Sequence, residues 1–302
     1  VALVGPTGSG KTLVALIAAS LARLEVISMD SRQVYRGMDI GTAKPSPGEL
    51  ARVPHHLIDL VEPTGSYSAG RFARDAEDAV GLIRARGYLP LLAGGTGLYL
   101  RAFAEGLIPV PSDPATRRGL RDEAASLGTA SLHRRLAAVD PEAAAAIHPH
   151  DGVRITRALE FYLLTGSTFT ELRRRQASRR RPLEVFGLEV ERGILYRRLD
   201  LRFLEMMGRG LAGEVESLRA AGLSLEHRAM HAPGYREILL HLSGRFGLEE
   251  AVVQAQRATR NLAKRQMSWF RSVPGITWLR ADTSTDIAHA ATLVAEALVA
   301  AG

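Results

Sequence analysis

Eight consecutive residues, Gly5-Pro6-Thr7-Gly8-Ser9-Gly10-Lys11-Thr12, carry the clearest chemistry in the chain. They follow a strand-like run, Val1-Ala2-Leu3-Val4, and precede an apolar helical stretch from Leu13 to Leu24. In that setting G-x-x-x-x-G-K-[ST] reads as a P-loop. Its backbone N–H groups and the helix N-terminus bind phosphate oxygens, Lys11 adds a positive charge, and Thr12 can offer its hydroxyl to Mg²⁺. A hydrolytic nucleotidase needs more than this: a carboxylate-tipped strand that holds the metal and a residue that positions water. The strand ending Leu91-Leu92-Ala93-Gly94-Gly95-Thr96 has no carboxylate. Strand two does, in Met29-Asp30-Ser31, which places Asp30 at the carboxyl ends of the strands, where open α/β sheets bind ligands. Position alone leaves Asp30 as a metal-water ligand, a general base or a helix cap.

The elements that must hold these residues alternate. Glu25 to Met29 is strand-like, as are His56 to Leu60 and Tyr88 to Ala93, while Ala69 to Arg86 has helical periodicity. Such alternation implies a parallel sheet with helices on its faces. Three prolines within Ile108-Pro109-Val110-Pro111-Ser112-Asp113-Pro114 break the pattern. From Ala115 to about Thr170 only helical periodicity is found. A strand from Leu183 to Val190, helices from Ile194 to Ala221 and Leu248 to Arg271, a strand from Ile276 to Leu279 and a terminal helix complete the chain. The fold class is therefore α/β, a P-loop NTPase-like parallel sheet core (1–111 and 183–302) with a helical insertion domain (112–182).

Composition narrows the partners. Lysine plus arginine number 39 against 32 acidic residues, a formal charge of +7 that suits a polyanion. Three of those 39 are lysines, Lys11, Lys44 and Lys264, and all three fall in motif segments. The absence of cysteine removes disulfides and cysteine-ligated zinc and mildly favours a reducing compartment. No apolar run approaches the roughly 20 residues needed to cross a bilayer.

Four segments decide between phosphate chemistries: Asp30 to Pro45 (DSRQVYRGMDIGTAKP), Pro54-His55-His56-Leu57-Ile58-Asp59, Gly94-Gly95-Thr96-Gly97-Leu98-Tyr99, and Arg260 to Arg271. Together they resemble the bacterial tRNA dimethylallyltransferases, and Pro233-Gly234-Tyr235-Arg236-Glu237 matches a fifth family segment. Gly8 stands where the family often has alanine, a change expected to be harmless in a glycine-tolerant turn. The resemblance implies transfer of a dimethylallyl group from its diphosphate to N6 of adenosine 37, in the anticodon loop of tRNAs reading codons that begin with U. It implies that Gly5, Pro6, Thr7, Gly8, Ser9, Gly10, Lys11 and Thr12 hold the diphosphate, with Mg²⁺ on Thr12. The family's base falls on Asp30 and its catalytic arginine on Arg202. Asp30, Ser31, Arg32 and Gln33 would contact the tRNA base. Thr96, Arg117 and the helical Val153-Arg154-Ile155-Thr156-Arg157 would lie at the tRNA interface. A cytoplasmic monomer with no membrane partner is the corresponding expectation.

An extruded adenine must reach a buried base, so a channel open to tRNA on one side and to the prenyl donor on the other is expected. Several segments stay open on the residues themselves. Gly94-Gly95-Thr96 reads equally as a tight turn required by close packing. The arginine-rich 173–181 run is a grip on tRNA backbone or a solvated connection. Trp269 and Phe270 pack in the core while the cations of their helix face tRNA or the diphosphate, or the whole face is a basic, aromatic RNA surface. His55, His56, His148 and His150 lack metal-ligand spacing. The competing functions are a P-loop kinase, a prenyltransferase acting on free AMP or ADP, and a non-catalytic RNA-binding protein.

Overall fold

Six strands carry the site: β1 (Ala2–Val4), β2 (Leu24–Met29), β3 (His55–His56), β4 (Leu89–Gly94), β5 (Val185–Glu189) and β6 (Ile276–Arg280). The computed structural model describes residues 1–106, 111–177 and 181–302. All six strands are parallel, in the order β3-β2-β4-β1-β5-β6. By compactness the chain divides into two units, Val1–Phe103 with Pro182–Gly302, and Ala104–Arg181.

In the first unit, successive residues of a strand point to opposite faces, so each central strand feeds two cores. Leu3, Val26 and Leu91 pack with α1 (Lys11–Ala18) and α14 (Ser284–Ala300). Ala2, Val4, Ile27, Met29 and Leu92 pack with α3 (Ala69–Ala85) and α4 (Gly97–Glu105). Burial on both faces suits the apolar Leu24, Val26, Ile27 and Met29, and the two polar residues of the strand are paired, Glu25 with His56 and Arg86 and Ser28 with Gln33. In α3 the buried Phe72, Ala76, Ala79 and Ile83 recur at helical spacing, and the Ser68 hydroxyl caps its start by accepting the Arg71 amide at 3.1 Å. A third core gathers Val34, Tyr35 and Met38 with α10 (Arg192–Gly208), α11 (Leu211–Ala220), α12 (Tyr235–Leu242) and α13 (Leu248–Arg271). It underlies the segment that follows Asp30.

The second unit is helical: α5 (Pro114–Leu127), α6 (Thr129–Val139), α7 (Pro141–Ala146), α8 (Gly152–Thr165) and α9 (Phe169–Ala177). Leu120, Leu132, Leu136, Ile147, Ile155 and Leu159 form its core. Asp113, Asp140 and Asp151 each cap a helix through the amide three residues on.

The sheet-and-helix reading holds, and its boundaries shift where glycine and turn chemistry intervene. The first helix spans Lys11–Ala18 rather than Leu13 to Leu24, because Gly10 (φ 95) starts it and Leu24 already pairs in β2. The expected strand from His56 to Leu60 is reduced to His55–His56: Leu57 (φ 63) and Asp59 (φ 53) adopt left-handed conformations that no strand accepts. The helix expected from Ile194 to Ala221 is two, α10 and α11, separated at Gly210 (φ 96). Ile108, Pro109 and Val110 of the proline-rich boundary, and Ser178, Arg179 and Arg180 of the arginine run, lie outside the described residues.

Candidate functional site

The P-loop connects β1 to α1 at the carboxyl end of the sheet. Gly8 (φ 82) and Gly10 (φ 95) supply the left-handed turns that aim its amides inward. The Lys11 ammonium donates to the Gly5 and Pro6 carbonyls at 3.0 and 2.7 Å. Both acceptors are neutral, so the positive charge stays uncompensated. Burial lowers its pKa to about 8; Asp30 acts against that shift and Arg202 reinforces it. Thr12 sits exposed in the first turn of α1, and its hydroxyl makes no hydrogen bond with any described residue. Arg202, on α10, donates to the Thr7 hydroxyl at 2.6 Å. Burial pulls its guanidinium below the ordinary value, opposed by Asp30 and Glu205.

Asp30 takes the capping position. Its Oδ1 accepts the amides of Arg32 (2.7 Å) and Gln33 (3.4 Å), the turn-capping role. No described residue hydrogen-bonds its other oxygen, Oδ2. The turn is braced from β4, where the Thr96 hydroxyl accepts the Ser31 amide at 3.1 Å and the Thr96 amide donates to Met29 O at 3.1 Å. Close packing also explains the glycines of that segment: a Cβ on Gly94 would lie 2.2 Å from the Met29 carbonyl oxygen. On Gly97 it would lie 2.0 Å from the Trp269 ring. Close packing of a tight turn is what Gly94 to Thr96 show, with Thr96 bonded to the turn that holds Asp30.

Two cavities meet here. One, of about 340 Å³, is lined by Lys11, Thr12, Gly10 and Arg198 on the P-loop side. The other, of about 500 Å³, is lined by Ser31, Arg32, Thr96, Arg236 and Arg265. Thr7, Asp30, Thr42, Ala43, Gly95, Arg202 and Gln266 border both. Asp30 therefore stands where the P-loop chamber adjoins a second, basic one. A further cavity of about 520 Å³ beside β5 and β6 has a different character. Arg271 and Arg280 on its rim are already paired with Glu189 and Asp282.

Sequence reasoning gave no role to Gln266, Thr42 or Ala43. The Gln266 side chain accepts the Thr7 amide at 2.8 Å and donates to Gly95 O at 3.0 Å, tying the P-loop to β4 from α13. Its signal was its place in the Arg260–Arg271 segment; the partner 259 residues away was not visible. On the same helix Phe270 is buried and Trp269 packs with it, so the aromatics belong to the core. His55 bonds the Val53 carbonyl and His56 pairs with Glu25. No cluster of three or more metal-ligating side chains occurs among the described residues.

The remaining expected contact residues belong to the helical unit. Arg117 and Arg157 both donate to Glu160, whose side chain is fully buried. Burial raises the Glu160 carboxyl, but the bonds from Arg157, the Asp113 amide and Arg117 outweigh it and hold it below its ordinary value. Ile155 and Thr156 are buried in that unit, so their side chains offer no surface. Val153 and Arg154 are exposed, Arg154 pairing with Asp151 at 3.3 Å.

A parallel sheet with a P-loop sequence after its first strand, and a carboxylate set between two chambers, define a P-loop-like α/β protein. The profile of the family described as IPP transferase matches residues 33–273. A tRNA dimethylallyltransferase of Geobacter metallireducens is 50% identical over 279 residues, covering 91% of this chain and 90% of that protein. One of Halorhodospira halophila is 47% identical, covering 89% and 88%. The crystal structure of the full-length tRNA isopentenylpyrophosphate transferase of Bacillus halodurans superposes with a TM-score of 0.71 at 39% identity, over 99% of this chain and 96% of that one. A eukaryotic dimethylallyltransferase captured acting on tRNA gives 0.80 at 28% identity, over 97% and 76%. The chain belongs to the IPP transferase family and is an enzyme of that transferase class.

Proposed function

We propose that the chain is a tRNA dimethylallyltransferase that moves the dimethylallyl group of dimethylallyl diphosphate to N6 of adenosine 37, in tRNAs reading codons that begin with U. The observation that carries the reading is Asp30, bordering both chambers with one carboxylate oxygen uncommitted. The P-loop amides, Lys11 and Arg202 would bind the diphosphate and stabilise the charge that grows as the allylic carbon–oxygen bond breaks. The N6 nitrogen forms the new bond to that carbon, and its proton passes to Asp30. Diphosphate leaves, and the atoms balance without water. Thr12, exposed and without a hydrogen-bond partner, fits an Mg²⁺ ligand; the ion would supply further charge neutralisation on the diphosphate.

Ser31, Arg32 and Thr96 line the second chamber, which suits an extruded adenine. Gln33 holds that chamber's wall through its side-chain amide. The helical unit, 112–182 in the sequence reading, would meet tRNA through exposed residues such as Arg154, with phosphate contacts giving salt-dependent affinity. Among the described residues no helix is long and apolar enough to cross a membrane. A cytoplasmic monomer is the accompanying proposal.

The test is incubation with labelled dimethylallyl diphosphate and unmodified tRNA, then nuclease digestion and mass spectrometry. N6-prenyladenosine at position 37 supports the reading. Label carried only on AMP or ADP would replace it with the free-nucleotide activity. Turnover of labelled ATP to ADP would indicate the kinase.

A further inference from the structure

The segment Asp39–Lys44 walls both chambers through Thr42 and Ala43, yet it belongs to neither helix nor strand. Ala43 has φ 51, a left-handed conformation costly for a residue with a Cβ. Contacts to residues outside the segment must therefore hold it. Two grips do.

The first is Glu214 on α11. Its Oε2 accepts the amides of Asp39 at 3.0 Å and Ile40 at 2.8 Å, and its Oε1 accepts that of Gly41 at 3.4 Å. The Tyr235 hydroxyl donates to the same Oε1. Tyr235 is fully buried, and its ring leaves no room for a side chain at Gly41, where a Cβ would lie 2.4 Å away. Burial, then the Glu214 charge, push the Tyr235 phenol far above its ordinary value, so it remains the donor. The second grip is Lys44, whose side chain is 5% exposed. It donates to Tyr35 O and Asp39 Oδ1, each at 2.6 Å, and pairs with Asp59.

The held segment reaches the site through Gln33. Gln33 Nε2 donates to Thr42 O (3.4 Å) and Ala43 O (3.1 Å), and its Oε1 accepts the Ser28 hydroxyl at 2.9 Å. The Gln33 amide in turn donates to Asp30 Oδ1. Neither Glu214 nor Tyr235 lines either chamber. We propose that Glu214, working with Tyr235, is a positioning residue for the transfer: by gripping the Asp39–Gly41 amides it sets the Thr42–Ala43 wall and the Asp30 turn without touching a substrate. This rests on the prenyl-transfer reading above.

Glu214→Gln and Glu214→Ala separate positioning from general support. The glutamine can turn its carbonyl to the Asp39 and Ile40 amides and its NH₂ to the Tyr235 oxygen, which then accepts. Alanine leaves the amides without an acceptor. Glu214→Ala is expected to lower kcat for prenyl transfer to tRNA about 100-fold, the scale of a roughly 1 Å misplacement. Glu214→Gln should stay within about threefold of the unaltered chain. Diphosphate affinity in Mg²⁺, read by calorimetry, should change by less than about twofold in both, because the P-loop is held separately.

Three results would overturn the inference: an unchanged kcat in Glu214→Ala, loss of diphosphate binding in step with kcat, or a glutamine variant as impaired as the alanine one. Should Glu214→Ala fail to fold, Tyr235→Phe decides. It keeps the carboxylate and is expected to lower kcat about fivefold with diphosphate binding intact, whereas full activity would refute the grip. If the unaltered chain transfers no prenyl group, the function itself is misread; if it and Glu214→Ala transfer alike, only the positioning role falls.

Discussion

The P-loop site of the sheet unit and the buried Glu160 of the helical unit use arginine and lysine in opposite ways. In the sheet unit, Lys11 is held by two backbone carbonyls and Arg202 by the Thr7 hydroxyl, all neutral acceptors. In the helical unit, Arg117 and Arg157 converge on the fully buried Glu160. Neutral acceptors orient a cation while leaving its charge to act on an incoming anion. A carboxylate partner orients it and cancels the charge. The difference teaches where to look for a phosphate: among cations held by uncharged atoms. Two of the six arginines and lysines that sequence placed at functional sites are, on this view, first of all struts for their own unit.

The contrast can be broken or sharpened by substitution. Asp30→Ala should remove the proton acceptor and reduce kcat by about 100-fold or more while tRNA still binds in a filter assay. Turnover within about threefold of the original would show that Asp30 is only a turn cap. Arg202→Ala should cost kcat roughly 100-fold, the scale of losing one donor to a developing charge; an effect confined to tRNA KM would move Arg202 out of the phosphate site.

Glu160→Gln tests the other side. It should destabilise the helical unit by about 2 kcal/mol, measured by denaturant unfolding, since three charge-assisted or amide bonds lose their anionic acceptor. The arginines, about a third exposed, can turn to water, which limits the loss. Because the Glu160 carboxyl is held below its ordinary value, its contribution is present above about pH 4.5 and is lost as pH falls through the lowered value. A helical unit equally stable at acid pH with and without Glu160, but also at neutral pH, would remove it from the structural role.

Lys11 gives the converse pH signature. Bound diphosphate favours the protonated ammonium, so affinity should be full below about pH 8 and weaken above it. A fall of about fivefold from pH 8 to pH 9, read by calorimetry, is expected, and a flat profile would mean the charge is not used. The smallest effect concerns Gly8→Ala. The left-handed backbone at Gly8 and the Leu199 methyl 2.7 Å from a built Cβ oppose it. That methyl can move, so a stability loss of about 1 kcal/mol is expected rather than collapse of the loop.

How much was legible follows the same division between near and far. The P-loop is eight adjacent residues whose types state their geometry, and Asp30 follows from the end of a buried strand. The sheet was readable because Leu24–Met29 and Leu89–Gly94 are buried on both faces. The break at Gly210 was hidden because a glycine inside a helical pattern reads as tolerated. Gln266 and Glu214 were invisible as site-builders, since their partners lie 259 and up to 175 residues away and an isolated Gln or Glu on a helix has no distinctive neighbours. Glu160 shows the same limit: Arg154 and Arg157 share a helical face in sequence, but only the packed unit reveals that Arg157 pairs with a fully buried carboxylate and Arg154 with a partly exposed one.

The seven residues that border both chambers also govern traffic. If donor and acceptor meet only at the neck marked by Asp30 and Arg202, each keeps its own doorway. Diphosphate can then depart from the P-loop side while modified tRNA still fills the other. In kinetic terms, added diphosphate should compete with the prenyl donor but not with tRNA, and neither substrate need wait for the other before it binds.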